Sequence, residues 1–429
     1  MPGNDPEHSS GLFLRNMATK TTIDISLASS GDENLPPEPG SWSVSQHGGE
    51  ILYLTYNYEA SVLTVQDPQF EPMEEAVSVP DIGGPFAEAN SEWPSVSCIR
   101  QLWRTGRYAV FSSHAAGYTT NDQINNFNHK DVFLFDRTRQ SKELISVNSD
   151  GVQADGSSEF PSISSDGRYV AFRSFSLNMT SDYPDGASGA MYIRDRTDGT
   201  TVVGSDDGFG HAMGVETGEI SGDGNFLVFS SWNIPSEGAP ETGFHQVYRR
   251  NLQSGEVSLV SIGVDGLPAD WGAQDPVISE NGRYVAFTSN STNLSTHLVD
   301  SQQVWLRDMD TGETRLVSAQ PNGYPGAGDS YLPCISPDGQ KVAFPSVAGY
   351  LDGLPNGYLR AFLFDRTSNN LEVLAPMSGF AASNGGLSVS DKSVVFEGSE
   401  LLIEQDLLDG ARRMISADAS GNARHAGLP

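Results

Sequence analysis

One short phrase returns along this chain and constrains its fold more than any other feature. It reads "PSISSDGRYVAF" at residues 161–172, "PVISENGRYVAF" at 276–287 and "PCISPDGQKVAF" at 333–344. With the Gly of "DGR" as a marker, it recurs at Gly49, Gly106, Gly167, Gly224, Gly282 and Gly339, and in degenerate form at Lys392 ("SVSDKSVVF"). The spacings are 57, 61, 57, 58, 57 and 53 residues, so the 429-residue chain holds seven copies. Self-similarity at such a period marks a repeat architecture, in which each unit buries its apolar surface against its neighbours. A length that would otherwise suggest two or three domains then describes one body.

Each copy has a second half, clearest in "DVFLFDRTRQSKELIS" (131–146), "QVYRRNLQSGEVSLVS" (246–261) and "QVWLRDMDTGETRLVS" (303–318). Both halves read as strand, tight turn, strand, and the Asp-Gly or Asn-Gly pair supplies the positive backbone angle the turn needs. A copy is therefore a four-stranded antiparallel unit, A-B then C-D. Runs such as "YVAF" and "VFLF" are apolar on consecutive residues, so both faces of the strand must be covered, as in a sheet packed between two others. Four-stranded sheets repeated around an axis form a β-propeller. The expected fold is all-β: a single seven-bladed propeller over residues 12–416, with blades starting near 41, 94, 161, 219, 276, 333 and 386. Tails cover 1–11 and 417–429. "LFLRNMATKTTIDIS" (12–26) matches a C-D half with no A-B half before it, and is expected to close the ring beside the last blade.

Composition limits the partners. There are 55 Asp and Glu against 25 Lys and Arg, a formal charge of −30. Such a surface repels phosphate backbones, so no nucleic acid is expected, whereas cations are attracted. No run of 18 apolar residues exists, so no membrane span is expected. Cys98 and Cys334 sit at different repeat positions and suggest no disulfide framework. The start of the chain shows no basic segment followed by an apolar run, which reads as the absence of a signal peptide.

At "ISSDGRYVAF…MYIRDRTDGTT", and at "SPDG" (Ser336–Gly339), the chain resembles the TolB-type, or WD-like, β-propeller repeat family over residues 12–416. The resemblance implies a propeller that serves as an assembly hub in the cell envelope or outside the cell. Some members carry enzymatic sites instead, such as those of certain polysaccharide lyases. A cytoplasmic location follows instead if the missing signal peptide is genuine.

The A-B and C-D turns must lie on one side of a propeller and the B-C and D-A connections on the other. Here the turns are short and stereotyped, while the connections are long and differ in every blade. Variable loops on a fixed scaffold are where recognition is placed. At the approach to strand A, Glu92, Glu159 and Glu216 share one repeat position in blades two, three and four. Three converging carboxylates could hold a hard cation such as Ca²⁺, or do acid–base work; solvated acids or blade-to-blade acceptors are the plainer reading. Trp93 and Phe160 share the next column, with Trp42 one position along, and Phe175 and Trp232 open B-C loops. Rings around an acidic mouth could stack on sugars, or simply cap the core. His129 and His245 stand just before strand C, and His114 opens a B-C loop; each is a candidate base or ligand contact. The Asp column after strand C (Asp136, Asp195, Asp308, Asp365) reads as turn-capping. The expected function is a binding or scaffold protein recognising a protein or glycan partner through the D-A/B-C face, with a cation in attendance. An enzyme acting on an acidic polysaccharide or small metabolite is the alternative, and a structural subunit of a larger assembly the second.

Overall fold

In the computed structural model of the protein, the described residues are six short strands between Phe13 and Ala76 and then, with gaps, residues 107–414. Side chains are described only in the latter part. Every regular element there is a β-strand. Six four-stranded antiparallel sheets follow the order A-B-C-D, one repeat to each sheet. The sheet of the second repeat shows Tyr108–Ser113, Asp131–Asp136 and Ser141–Leu144 as strands B, C and D. The place of its strand A lies outside the described residues. From the third repeat to the seventh, strand A touches strand A of the next sheet. Leu387–Val389 of the seventh sheet touches Trp42–Val44 of the first. The chain is thus a β-propeller, with the A strands innermost. Seven blades is the count that the seven repeats support.

Why each blade needs the same phrase is visible in its turn. In blade three the Ser164 hydroxyl donates to Asp166 (2.6 Å), and the same carboxylate oxygen accepts the Arg168 N–H (2.9 Å). Gly167 alone takes the positive angle, at φ 74. Blades four, five and six repeat the arrangement with Ser221/Asp223, Ser279/Asn281 and Ser336/Asp338. The glycine has a second task. A Cβ on Gly167, Gly224, Gly282 or Gly339 would lie closer than 3.0 Å to the ring of Tyr108, Tyr169, Phe226 or Tyr284, each in the preceding blade. Backbone bonds lock the same seam, as Ser165 N–H to Gly222 O (2.8 Å) and Asp223 N–H to Glu280 O (2.9 Å).

The core lies between blades. Tyr284–Ser289 is buried along its whole length, as the unbroken apolar pattern requires. One cluster joins Val110 and Val132 of blade two to Val170, Phe172 and Tyr192 of blade three. The Asp column caps turns as expected: Asp308 accepts the Asp310 and Thr311 N–H groups (3.0 and 3.4 Å), and Asp195 those of Thr197 and Asp198. Each also holds a cation from its own A-B hairpin. Arg107–Asp136 is 2.7 Å, Arg168–Asp195 2.6 Å and Arg283–Asp308 2.8 Å, and Lys341 pairs with Asp365.

The N-terminal hairpin forms where expected, Phe13–Asn16 against Thr21–Asp24, as a two-stranded sheet of its own. As a ring-closing piece it remains our proposal. Deleting residues 1–30 is then expected to lower Tm, and an unchanged Tm would remove that role.

Candidate functional site

A β-bulge shapes the approach to strand A on the loop face. In blade three the ladder pairs Glu159 with Arg173 and then shifts before Ser162–Ala171. The same shift occurs in blades four and five. Phe160 (φ 53), Asp275 (φ 51) and Leu332 (φ 32) adopt left-handed backbone immediately before Pro161, Pro276 and Pro333. A side chain disfavours that region by about 1–2 kcal/mol, so its recurrence in three blades marks a built feature. Bulges re-aim side chains and cluster beside functional sites.

In blade three the bulge assembles a closed cation site. Arg173 pairs with the Glu159 carboxylate and donates to the Val215 and Glu216 carbonyls of the next blade (3.2 and 2.8 Å). Its guanidinium lies 4.6 Å from the Phe160 ring and 4.9 Å from the Phe175 ring. Lys130 approaches Glu159 from blade two at 3.6 Å. Beside this pair opens a cleft of about 470 Å³, lined by His129, Asp155, Ser157, Glu159, Phe175 and Leu177. Burial would raise the Asp155 carboxyl, but the Ser176 hydroxyl and the Leu177 and Asn178 N–H groups outweigh it and hold it below the ordinary range. Asp270 does the same in blade five, capping Thr292 (N–H to Oδ1 2.7 Å). Asp155 is thus a clamp between a D-A connection and a B-C loop.

Blade four is more open. Glu216 lies 2.8 Å from His245 Nδ1, and the Trp232 indole meets the His245 ring edge-on at 4.1 Å. Phe244 and Trp271 pair beside them at 5.5 Å. Trp232 and Trp271 are 61% and 56% exposed. His211 pairs with Asp207 (2.8 Å) at an exposed D-A tip.

The structure thus brings Phe160 and Glu159 together around Arg173, and Glu216, His245 and Trp232 around one another. His129 lines the cleft but is one position out of step with His245, whose place in blade two Lys130 takes. Glu92, Trp93 and His114 lie outside the described residues, as does the Trp42 side chain. Among the described residues no group of three or more His, Cys, Asp or Glu side chains could hold a metal ion. Sequence reasoning passed over Arg173, Lys130, Phe244 and Trp271. Only the Phe160–Arg173–Phe175 spacing within one hairpin offered a signal.

No family model matches the sequence, and no curated protein matches it. Among solved structures the chain is similar to the tricorn protease (TM-score 0.50, 10% identity), covering 94% of this chain and 37% of that one. It therefore spans little more than a third of that protein. A putative TolB from Agrobacterium tumefaciens (TM-score 0.39, 15% identity) covers 86% of this chain and 88% of its own. The Cps50 (Swd1) β-propeller domain from Myceliophteria thermophila (TM-score 0.42, 11% identity) covers 91% and 99%. At these identities the likeness concerns the fold alone. No helix among the described residues is long and apolar enough to cross a membrane.

Proposed function

We propose that this β-propeller is a binding module that recognises a protein or glycan partner through the face made by its D-A and B-C connections. One observation carries the reading. Of thirteen large apolar side chains exposed among the described residues, eleven stand on those connections, and only Val202 and Leu408 lie elsewhere. Six of the eleven are Phe, Tyr or Trp. Exposed apolar surface concentrated on one face marks an interaction site, and Trp and Tyr dominate such sites energetically. On the opposite face, made of stereotyped turns, Arg107, Arg168 and Arg283 are held by carboxylates of their own blades.

The enzymatic alternative has one observation in its favour, the Glu216–His245 pair, since a carboxylate on Nδ1 orients an imidazole for proton transfer. The chemistry of the face opposes an acidic substrate, which an acidic rim repels.

The test is an array of glycans and peptides probed with the wild-type protein and with a Trp232→Ala/Trp271→Ala variant. Loss of bound spots in the double variant, with an unchanged Tm, is the expected result. Binding that ignores both tryptophans, or turnover of an arrayed compound, would refute the reading.

A further inference from the structure

Blade four repeats the acidic mouth of blade three without its arginine. Glu216 stands at the place of Glu159 and Trp232 at that of Phe175. Ser230 stands where Arg173 does, and Thr217 where Phe160 does. The Ser230 and Thr217 hydroxyls are buried with no hydrogen-bond partner. In blade three the same positions form a guanidinium site, with a carboxylate partner and two rings within 5 Å of Arg173. In blade four His245 meets one Glu216 oxygen (2.8 Å) and the Trp232 ring edge-on, yet the Glu216 side chain is 51% exposed and Trp232 is 61% exposed, so both still face a partner from solvent.

The charge of the loop-face connections, read from the sequence, points the same way. The connections 145–160, 175–189, 204–216, 232–245, 260–275, 290–302, 317–333 and 347–359 hold sixteen Asp and Glu and no Lys or Arg. Of the cations at their border, Lys130 and Arg173 are both held by Glu159, and Arg360 is buried. A face of exposed rings and surplus carboxylates is complementary to a cationic partner, in both steering and contact.

We infer that the blade-four mouth docks an arginine side chain of a basic protein segment. The partner's guanidinium pairs with Glu216 and lies against Trp232, with Phe244 and Trp271 flanking the segment, as Arg173 lies on Glu159 and Phe175. The inference rests on the loop-face binding reading and narrows it to one partner chemistry. Arginine suits the place better than lysine because its planar, weakly hydrated cation stacks on rings while its fork meets a carboxylate.

The probe is a fluorescein-labelled peptide of alternating Arg and Gly, set against a twin with citrulline, the neutral isostere, in place of arginine. Anisotropy is read at about 0.15 M salt, where long-range attraction to the −30 chain is screened. The arginine peptide is expected to bind at least about tenfold more tightly than its twin. Glu216→Gln and Trp232→Ala should each weaken it by about tenfold, the scale of a single charge-assisted hydrogen bond. Glu313→Gln, on the turn face, should change nothing. Ser230→Arg should abolish binding by filling the site from within, and where that variant does not fold, Glu216→Gln and Trp232→Ala decide. Equal binding of the two peptides, binding of neither, or equal weakening in Glu216→Gln and Glu313→Gln would overturn the arginine assignment. If neutral oligosaccharides still lose binding in Trp232→Ala/Trp271→Ala, the assignment alone falls and the loop-face reading stands. If every probe is indifferent to both tryptophans, both fall.

Discussion

Gly282→Ala is expected to be among the most destabilising single substitutions in the protein. Two costs coincide at this position. The backbone stands at φ 70, where a Cβ costs about 1–2 kcal/mol. The new methyl would also meet the Phe226 ring of the preceding blade, with several ring atoms closer than 3.0 Å. Forcing volume into a packed seam costs a further 1–3 kcal/mol or so. The ring cannot easily retreat, because the Arg249 guanidinium covers it at 4.4 Å. The sum, about 2–5 kcal/mol, falls on an interface rather than inside a blade. Gly199→Ala separates the two costs. Gly199 also has a positive angle (φ 67), but nothing lies within 4 Å of its missing Cβ. Differential scanning calorimetry should therefore show a small drop in Tm for Gly199→Ala and a much larger one for Gly282→Ala. Equal drops would mean that the glycine serves its turn alone.

That pair of variants also marks where the sequence stops being legible. The turn was readable at Gly282, because Ser-x-Asn-Gly is a local device and its chemistry lies within five residues. The seam was not, because the ring that fills it comes from the preceding repeat, more than fifty residues away. The Asp column was readable as capping for the same local reason. Its pairing with the "DGR" arginine was also available, through the repeats themselves. Blade four has Asn225 where blades two, three and five have arginine, and Asn251 where they have aspartate. Both members of the pair change together, and Asn251 still caps Gln253 and Ser254 (2.9 and 3.0 Å). At the candidate site the glutamate column could be counted out from strand A, but not what each carboxylate meets. Residues before proline favour extended backbone, so nothing in "SEFP" announces a left-handed Phe160 or the bulge that lays its ring on Arg173. Glu159 and Glu216 look alike in the sequence. With arginine on strand B in one blade and serine in the next, Glu159 is enclosed by Arg173 and Lys130, whereas Glu216 meets His245 and stays half exposed.

Acid should loosen the protein through the Asp column, and Asp308→Asn should show it. The Arg283 side chain, outweighing burial, holds the Asp308 carboxyl at about 2, helped by the Asp310 and Thr311 N–H groups. Arg107 likewise holds Asp136 below the ordinary carboxylate value. For Asp195 and Asp365 burial pushes upward, but Arg168, Lys341 and the turn N–H groups prevail, and both are lowered. A carboxyl whose folded pKa lies below its unfolded one binds protons more tightly in the unfolded chain. Its contribution is therefore complete above the unfolded value of 3.8 and is lost as pH falls through the folded value, for Asp308 between about 4 and 2. Asn at 308 keeps an oxygen to cap the turn, as Asn251 does in blade four, and removes only the charge. The variant is expected to melt a few degrees below wild type at pH 7. The gap should hold down to about pH 4.5 and shrink to a small remainder as pH falls to about 2, where the wild-type carboxyl is itself half protonated. Thermal melts across that range, at constant ionic strength, provide the check. A gap of constant size from pH 7 to pH 2 would mean that Arg283–Asp308 is an ornament of the turn face. A closing gap would make the repeated Arg–Asp pair, together with the glycine seam, what ties each turn to its blade.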